Sequence, residues 1–307
     1  MNKVYTIILK KLIEKLESGV VPWHCPWLHG SPRNYYSKKS YSGLNLILLG
    51  MLEYRFPYFV TWNQIRKLNA SVITGEKPHL VVFYKPIEKE VDVLDVKTGE
   101  ITTELKTKYI LRYYTVFNIE QTTLKQPEIK DYDSLLQCDK VVHNMPKRPL
   151  IIHKYQTAYY SPDKDIVNIP LYGSFEKPEL YYVTLFHELV HATGHEKRLG
   201  RCNLKEGHSF GDHVYSREEL IAELGAAFLS AHVGISNQTL DDSSSYINGW
   251  LKILKEQPKF IFQSSTSAKQ ATEYILNGDQ PSGWSSLSRP LLCQMFDENR
   301  IGLIFYI

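Results

Sequence analysis

The chain has 307 residues, of which 43% are hydrophobic and 22% charged, a balance that is typical of a soluble globular protein. It contains no run of about eighteen apolar residues, which excludes a membrane-spanning helix, so no membrane partner is expected. The net charge of +3 is unevenly distributed: residues 1–85 hold 12 Lys and Arg against 4 Asp and Glu, and residues 126–307 hold 18 against 22. The opposite signs predict two domains with different partners.

The first half of the chain predicts an α+β domain that begins with a helix. Apolar residues recur there at helical spacing (Tyr5, Ile8, Leu9, Leu12, Ile13 and Leu16), while Lys10 and Lys11 interrupt the run, which argues against a targeting peptide. Residues 20–45 are rich in turn-forming types and predict mostly loop, and residues 44–53 predict a buried helix. Thr61 is placed to cap a short helix, and alternation over 91–118 predicts two or three strands around a Lys-Thr-Gly-Glu turn.

The second half begins after a polar stretch, 121–134, which predicts the linker. We therefore expect domains at 1–125 and 135–307, with the tail 277–307 unassigned. Short strands are predicted near 150–153, 158–160 and 166–169. They precede a helix that contains HELVH, a polar loop from about 200 to 214, the helix SREELIAELGAAFLSAHVG and further helices in INGWLKILKEQPKFI and TSAKQATEYILNG.

The four cysteines, Cys25, Cys138, Cys202 and Cys293, are scattered without a pairing or metal-ligand spacing. This pattern indicates reduced, buried thiols and predicts a cytoplasmic setting.

The segment HELVH carries the strongest chemical signal. His187 and His191 are four residues apart, so in a helix they share one face and can present two imidazole nitrogens to one cation. Glu188 would lie beside that cation and accept a proton from a water molecule, which predicts metal-assisted peptide hydrolysis. The alternative is a pair of structural histidines in a core helix, but a matching glutamate helix further along the chain favours the metal site.

The third ligand is predicted on the later helix. Lys197 stands where a metzincin has its third histidine, and His195 follows Gly194, which disrupts the helix, so a structural or second-shell role is favoured for His195. Glu219 is the better ligand candidate, and Glu223, one turn on, would fix the tautomer of a ligand histidine.

Three further expectations concern this site. Glu218 points about 100° away from Glu219 on a helix and is expected to face solvent or an arginine such as Arg217. Zinc is the expected ion for a set of nitrogen and oxygen ligands. Four residues remain open as helpers for the oxyanion, namely Tyr159, Tyr160, His208 and His213.

The basic first half has the composition of a nucleic-acid binder. Aromatic rings alternate there with cations. The candidate binding residues are Trp23, Trp27, Arg33, Tyr35, Lys38, Lys39, Tyr41, Arg66, Lys67 and Lys77, and Tyr36, Trp62 and Lys85 belong to the same aromatic and basic pattern. Cations track phosphates and flat rings accept unstacked bases, so the pattern predicts binding of a single-stranded nucleic acid. The alternative is that rings such as Trp23, Trp27 and Trp62 belong to the core.

Taken in order, the motifs resemble the antirestriction ArdC family. The segments that carry the resemblance are LESGVVPWHCPW, SPRNYYSKKSYSGLN, FVTWNQIRKLNASVITGEKP, VVFYKP and YYTVFNIEQ, followed by AYYSPDKDIVNIP, LFHELVHATGHEKRL and YSREELIAELGAAFL. The resemblance implies an N-terminal domain that binds mainly single-stranded DNA and a C-terminal zincin-like metallopeptidase domain, similar in its core to the Spartan and SprT proteases.

The resemblance also implies specific roles. His187, His191 and Glu219 would be the metal ligands and Glu188 the general acid and base, and the helix at 219–223 is similar to the E-x-x-A-D helix of gluzincins with Glu223 in place of the aspartate. Residues 277–307 depart from the family pattern.

The expected function is therefore that of a mobile-element antirestriction protein with a zinc-dependent peptidase domain, whose protein substrate the sequence does not identify. Two alternatives stay open: a DNA-binding protein that acts by occlusion and has a structural metal site, and a DNA-dependent protease that acts on DNA-bound proteins.

Overall fold

The computed structural model describes residues 3–24, 30–52, 54–94, 101–127, 133–201, 213–237 and 243–277. Within these ranges the chain forms eight α-helices and two β-sheets, which is the mixed helix and sheet architecture expected. Several residues named above lie outside the described ranges, namely Cys25, Trp27, Cys202, His208, Cys293 and the tail after residue 277.

The first half contains three helices and a four-stranded sheet. Its elements are α1 (Lys3–Glu17), β1 (Arg33–Asn34), α2 (Leu44–Gly50), β2 (Tyr58–Val60), α3 (Trp62–Lys67), β3 (His79–Leu94) and β4 (Ile101–Asn118). The strand order is β1-β2-β4-β3, with β1 parallel to β2 and the other pairs antiparallel. Strand β1 lies in a stretch predicted as loop, because two paired residues are too few to show the alternation that marks a strand.

Strands β3 and β4 are two antiparallel strands on either side of the predicted Lys-Thr-Gly-Glu turn, which itself lies outside the described residues, but β3 begins at His79 instead of near residue 91. Strand β3 runs without a break from His79 to Leu94 although it contains Pro86, which pairs in register with Tyr109. Proline is tolerated there because β3 is the edge of the sheet, where a missing N–H removes no bond to a second neighbour.

Two polar side chains fix the helices to this sheet. The Asn45 amide of α2 accepts a hydrogen bond from the Val82 N–H at 2.7 Å and donates to the Val82 carbonyl at 2.6 Å, so it pairs with the free edge of β3. Helix α3 begins at the cap predicted from the sequence: the Thr61 side chain accepts from the Gln64 N–H, and the Gln64 side chain accepts from the Thr61 N–H.

The second half contains five helices and a three-stranded sheet. Its elements are α4 (Ser134–Asn144), β5 (Leu150–Ile152), β6 (Tyr159–Ser161), β7 (Ile166–Asn168), α5 (Pro178–Thr193), α6 (His213–Val233), α7 (Ser243–Glu256) and α8 (Phe260–Asn277). Strand β7 lies between β5, to which it is parallel, and β6, to which it is antiparallel. Helix α5 packs against β6 and β7, as predicted for an active-site helix that lies across a small sheet.

A continuous hydrophobic core joins the two halves. Ile8 and Leu12 of α1 belong to the same buried cluster as Phe186 of α5, and the Trp23 ring packs edge to face on Trp250 of α7 with centroids 5.1 Å apart. The domain limits 1–125 and 135–307 therefore stay a prediction, since α1 and the segment that follows it are packed into the helices of the second half.

Two smaller expectations concern the thiols and the membrane. Cys138 is a free, fully buried thiol whose burial raises its pKa to about 12, in agreement with the buried thiol predicted. None of the helices in the described part of the chain has the length and apolar character needed to cross a membrane.

Candidate metal centre

Helix α5 places the HELVH segment in the interior of the protein. It begins with Pro178 at its first turn, a position that needs no N–H donor, and it ends at Gly194, where the sequence predicts a helix end. Most of its side chains from residue 182 onward are buried, including Glu188, as expected for a helix that is apolar nearly all round.

Helices α5 and α6 approach each other closely at one glycine. A Cβ atom built on Gly225 of α6 would lie 2.6 and 2.8 Å from the two methyl carbons of Val190 on α5. Ordinary carbon contacts are about 3.5–4.0 Å, so a larger residue at position 225 does not fit this helix spacing. The glycine therefore allows the carboxylates of α6 to reach the histidines of α5.

Three side chains from these two helices converge on one point. The Nε2 atoms of His187 and His191 lie 3.1 Å apart, and each lies close to the Glu219 carboxylate, at 3.4 Å from His187 and 3.5 Å from His191. In the described part of the chain these are the three residues whose ligand atoms form a group able to hold a metal ion.

The spacing of these side chains fits a small divalent cation. Zinc bonds of about 2.0–2.1 Å in a tetrahedron separate neighbouring ligand atoms by about 3.3 Å. The two nitrogens are 3.1 Å apart, and the nearest Glu219 oxygen is Oε2 at 3.4 Å for His187 and Oε1 at 3.5 Å for His191, all close to that value. Two imidazoles and one carboxylate also form the donor set of zinc sites that keep one position for water.

The outer nitrogens of both histidines face carboxylates of α6. His187 Nδ1 lies 3.6 Å from Glu223 Oε1, the carboxylate for which a role in fixing the histidine tautomer stays a prediction. His191 Nδ1 lies 3.4 Å from Glu218 Oε1. The expectation that Glu218 faces an arginine is confirmed by its ion pair with Arg201. Its contact with His191 was not expected, and it arises because the packing of α6 on α5 brings both neighbouring glutamates to the site.

Arg201 holds Glu218 in this position. Its guanidinium donates to both carboxylate oxygens, at 2.6 and 3.1 Å, and also to the Thr193 hydroxyl and the Val190 carbonyl of α5. Arg201 was missed in the sequence, since a lone arginine in a polar loop carries no spacing signal. The pair links the end of α5 to α6 directly behind His191.

The electrostatics of the site favour bound positive charge. Burial lowers the pKa of His187, but the hydrogen bond to Glu219 and the charges of Glu223 and Glu188 outweigh burial and raise the pKa to about 9. For Glu218 burial acts in the opposite direction and raises the pKa. The charge of Arg201 and the hydrogen bond with His191 outweigh burial and lower the pKa of Glu218 to about 2. Without an ion, this arrangement therefore keeps a proton on His187 next to ionised carboxylates.

Two other predicted site residues, His195 and Tyr160, form hydrogen bonds to neighbouring groups of the protein outside the converging residues. His195 is buried, and its Nδ1 accepts a hydrogen bond from the Lys197 N–H, so it shapes the turn after α5 and is not one of the three converging residues. Tyr160, an open candidate for the oxyanion, donates its hydroxyl proton to Asp165 and accepts a hydrogen bond from Arg198. This leaves the choice of oxyanion helper open among the other candidates.

The predicted DNA-binding residues divide into exposed and buried groups. Tyr41 and Trp23 are core residues with relative exposures of 9% and 0%, so neither ring is free to stack on a base. Arg33 is half-buried, and its charge acts on His232 near the end of α6, where it adds to the effect of burial in lowering the pKa of that histidine.

The exposed group lies on α3 and on the turn after β1. Asn34 organises this turn, since its side-chain oxygen accepts hydrogen bonds from the Tyr36 and Ser37 N–H groups. Lys38 lies over the Tyr35 ring at 4.3 Å, and Tyr36 and Trp62 are about half exposed. The exposed cations of the predicted set are Lys38, Lys39, Arg66, Lys67 and Lys77.

The structure adds exposed aromatic residues that were missed. Phe83 of β3 is 51% exposed and pairs in register with the exposed Arg112 of β4, and Tyr113 and Tyr114 of β4 are 58% and 41% exposed. The sequence pattern predicts strands here but does not indicate which of their rings are exposed. They extend the set of exposed rings and cations onto the hairpin.

Comparison with known proteins agrees with this architecture. Residues 2–117 match the family model of the N-terminal domain of anti-restriction factor ArdC, and residues 138–267 match the family model of a zincin-like metallopeptidase. The class is thus a protein with an ArdC-type N-terminal domain and a zincin-like domain. As its sequence motifs predict, the chain combines the N-terminal domain of the ArdC antirestriction family with a zincin-like domain.

Solved structures and curated sequences give the same result. The chain is 29% identical to the antirestriction ArdC protein from plasmid R388 in both its metal-free and Mn(II)-bound crystal structures, with a TM-score of 0.69; the match covers 89% of this chain and 96% or 97% of those chains. The uncharacterized protein y4eC of Sinorhizobium fredii is 29% identical over 89% of this chain and 91% of its own length. A DNA primase TraC of Escherichia coli is 29% identical over 89% of this chain, which spans about a quarter (27%) of that protein.

Proposed function

We propose that this chain is an antirestriction protein of a mobile element that binds single-stranded DNA and acts as a zinc-dependent peptidase. The observation that carries the proposal is the convergence of His187, His191 and Glu219 around one point, with Glu188 next to them on α5. A zincin-like domain joined to an ArdC N-terminal domain supports both parts of the proposal.

In this proposal His187, His191 and Glu219 hold the ion, and Glu223 and Glu218 orient the two imidazoles from behind. Zinc is preferred because the ligands are two nitrogens and one carboxylate, although the R388 relative was crystallised with Mn(II). A bound divalent cation would supply a water of lowered pKa and polarise a peptide carbonyl.

Glu188 is the proposed general base and acid. Its carboxylate lies on the helix that carries both histidines, and it is 8% exposed, so little bulk water competes for it. It accepts a proton from the attacking water and later passes that proton to the leaving amine.

The first half is proposed to bind single-stranded DNA through the exposed rings and cations of α3, the turn after β1 and the β3–β4 hairpin. Trp62, Tyr36 and Phe83 offer flat faces, and the neighbouring Lys and Arg residues offer charges for phosphates. Binding of labelled oligo-dT should weaken steeply as salt rises, because phosphate contacts release counterions. An affinity that does not depend on salt would contradict DNA binding at this surface.

The predicted cytoplasmic setting stays a prediction.

The decisive experiment compares the wild-type chain with Glu188→Gln and Glu219→Ala. Metal analysis of the purified proteins should find about one zinc per chain in the wild type and in Glu188→Gln, and loss of zinc in Glu219→Ala. Cleavage of casein, with and without single-stranded DNA, should be lost in Glu188→Gln. Unchanged turnover in that variant would remove Glu188 from its role.

A plasmid-transfer assay into a restricting host separates the proposal from its alternatives. Protection that is lost in Glu188→Gln supports a role of the peptidase in antirestriction. Protection that survives in Glu188→Gln favours occlusion of DNA. Cleavage without any protection favours a DNA-dependent protease that acts on DNA-bound proteins.

A further inference from the structure

One residue of the N-terminal domain reaches the metal centre. His24 Nε2 lies 3.3 Å from Glu223 Oε2, and the other oxygen of that carboxylate, Oε1, lies 3.6 Å from His187 Nδ1. Since an ionised carboxylate only accepts, His24 Nε2 donates to Glu223 Oε2, whereas His187 Nδ1 faces the same carboxylate in an ion-pair contact. The carboxylate therefore bridges a proposed metal ligand and a histidine that lies within the match to the ArdC N-terminal domain.

The segment that carries His24 is anchored firmly in the second half. Trp23 has no exposed surface and packs on Trp250 of α7, and its carbonyl oxygen accepts a hydrogen bond of 2.8 Å from the Asn237 side chain beyond α6. The His24 N–H closes a turn on the Val21 carbonyl at 3.0 Å. The His24 side chain is 12% exposed, so its contact with Glu223 is largely shielded from water.

We propose that His24 is a positioning residue of the metal centre, through which the N-terminal domain sets the metal affinity of the zincin-like domain. His24 holds the Glu223 carboxylate, and Glu223 in turn holds His187 with its Nε2 directed at the ion. A second contact on the carboxylate matters because Glu223 is joined to the backbone by three rotatable bonds, which the 3.6 Å ion-pair contact with His187 constrains weakly.

The inference rests on the proposed metal site and extends it in one direction. Partners behind a metal ligand typically change metal affinity by about 10–100-fold when they are removed. Here such a partner lies about 200 residues earlier in the chain, on a different domain from the ligands. Because coupling between sites is reciprocal, metal binding should also strengthen the packing of the segment 21–24 on the second half.

The test measures zinc affinity of the full-length chain by competition with a chromophoric chelator, without reference to catalysis. His24→Leu keeps the approximate size of the side chain but donates no hydrogen bond, and it should weaken zinc binding about tenfold or more. His24→Gln offers an amide N–H at a similar reach and should restore affinity to within about threefold of the wild type. The Co²⁺ absorption spectrum should change in His24→Leu and return in His24→Gln.

Two controls separate positioning from general damage. Lys255→Met breaks another contact between the halves, the 2.6 Å pair of Lys255 and Glu17 at the surface, and should leave zinc affinity unchanged. In a Glu223→Ala background, His24→Leu should cause no further loss, since its effect passes through Glu223.

The outcomes are distinct. Wild-type zinc affinity in His24→Leu, or an equal additional loss in the Glu223→Ala background, overturns the role of His24 and leaves the metal site intact. A wild-type chain that binds no zinc overturns the metal site and this inference together. If His24→Leu does not fold, the inference stands or falls on His24→Gln against His24→Ala in the same titration.

Discussion

Replacing Gly225 with alanine should separate the two halves of the metal centre. The new Cβ would lie 2.6 and 2.8 Å from the methyl carbons of Val190, about 1 Å closer than carbon atoms normally approach. Because Val190 is fully buried, its methyl groups have no free space into which to rotate, and α6 must move away from α5. Glu219 and Glu223 would move with it, away from the histidines.

The expected magnitudes come from two opposing effects. Overpacking a core by a methyl group costs about 1–3 kcal/mol, and replacing glycine by alanine inside a helix returns about 1 kcal/mol. The net loss of stability should therefore be small, about 1 kcal/mol, whereas ligands must stay within about 0.5 Å of their productive positions. Zinc affinity should fall about tenfold or more while the protein remains folded.

The assay pairs urea unfolding of the metal-free protein with zinc titration, and it has two matched variants. Gly249→Ala on α7 meets no atom within 4 Å, so it should stabilise the protein and leave zinc affinity unchanged. Val190→Ala combined with Gly225→Ala removes the clashing methyl groups and should recover much of the lost affinity. If Gly225→Ala behaves like Gly249→Ala in both measurements, close approach of the helices does not hold the site together.

Two further predictions concern Arg201, which follows α5, and Asp165, which precedes β7. Arg201→Met should weaken zinc binding about tenfold, because it releases Glu218 from its position behind His191. Arg201→Lys should recover only part of the lost affinity, because lysine cannot donate to both carboxylate oxygens as the guanidinium does. Equal zinc affinities of the wild type and the two variants would exclude a role of Arg201 in zinc binding. Burial raises the pKa of Asp165, but hydrogen bonds from Arg198 and Tyr160 lower it below its usual 3.8. The stability that this contributes is complete above that value and is lost as pH falls through the lower folded pKa. The acid unfolding curve of Asp165→Asn should therefore lack this component, and an unchanged dependence below about pH 4 would contradict the assignment.

The sequence predicts the elements of the second half well because their signals are local. The helix with HELVH, the short strands at 150–152, 159–161 and 166–168, and the helix with Glu219 depend on periodicity within one segment. The convergence of His187, His191 and Glu219 was also predictable, since helical spacing restricts which side chains can share one ion.

The misses all depend on contacts between distant segments. The contact of Glu218 with His191 depends on how α6 packs on α5. The contact of His24 with Glu223 joins residues 199 positions apart. Composition likewise grouped Trp23 and Tyr41 with exposed rings such as Trp62, although burial separates them. Aromatic residues serve cores and nucleic-acid surfaces equally well, so only the packing of the fold distinguishes the two uses.

The charge balance of the metal centre predicts that metal binding releases a proton. Glu188, Glu219 and Glu223 surround His187, whose pKa of about 9 means that it is protonated in the metal-free protein at pH 7.5. Its Nε2 can bind a cation only after that proton has left, so zinc binding at pH 7.5 should release close to one proton from His187, in addition to any proton lost by a zinc-bound water. Calorimetric titrations in buffers of different ionisation enthalpy measure this number directly.

The sign of the pH dependence follows from the same argument. Below about pH 9, each unit of pH should raise the apparent zinc affinity about tenfold through His187, and above that value the proton release from His187 should disappear. An ordinary histidine, with a pKa near 6.5, would release almost no proton at pH 7.5. Zinc binding without proton release at pH 7.5 would therefore mean that the carboxylates of α6 do not hold His187 in its charged form.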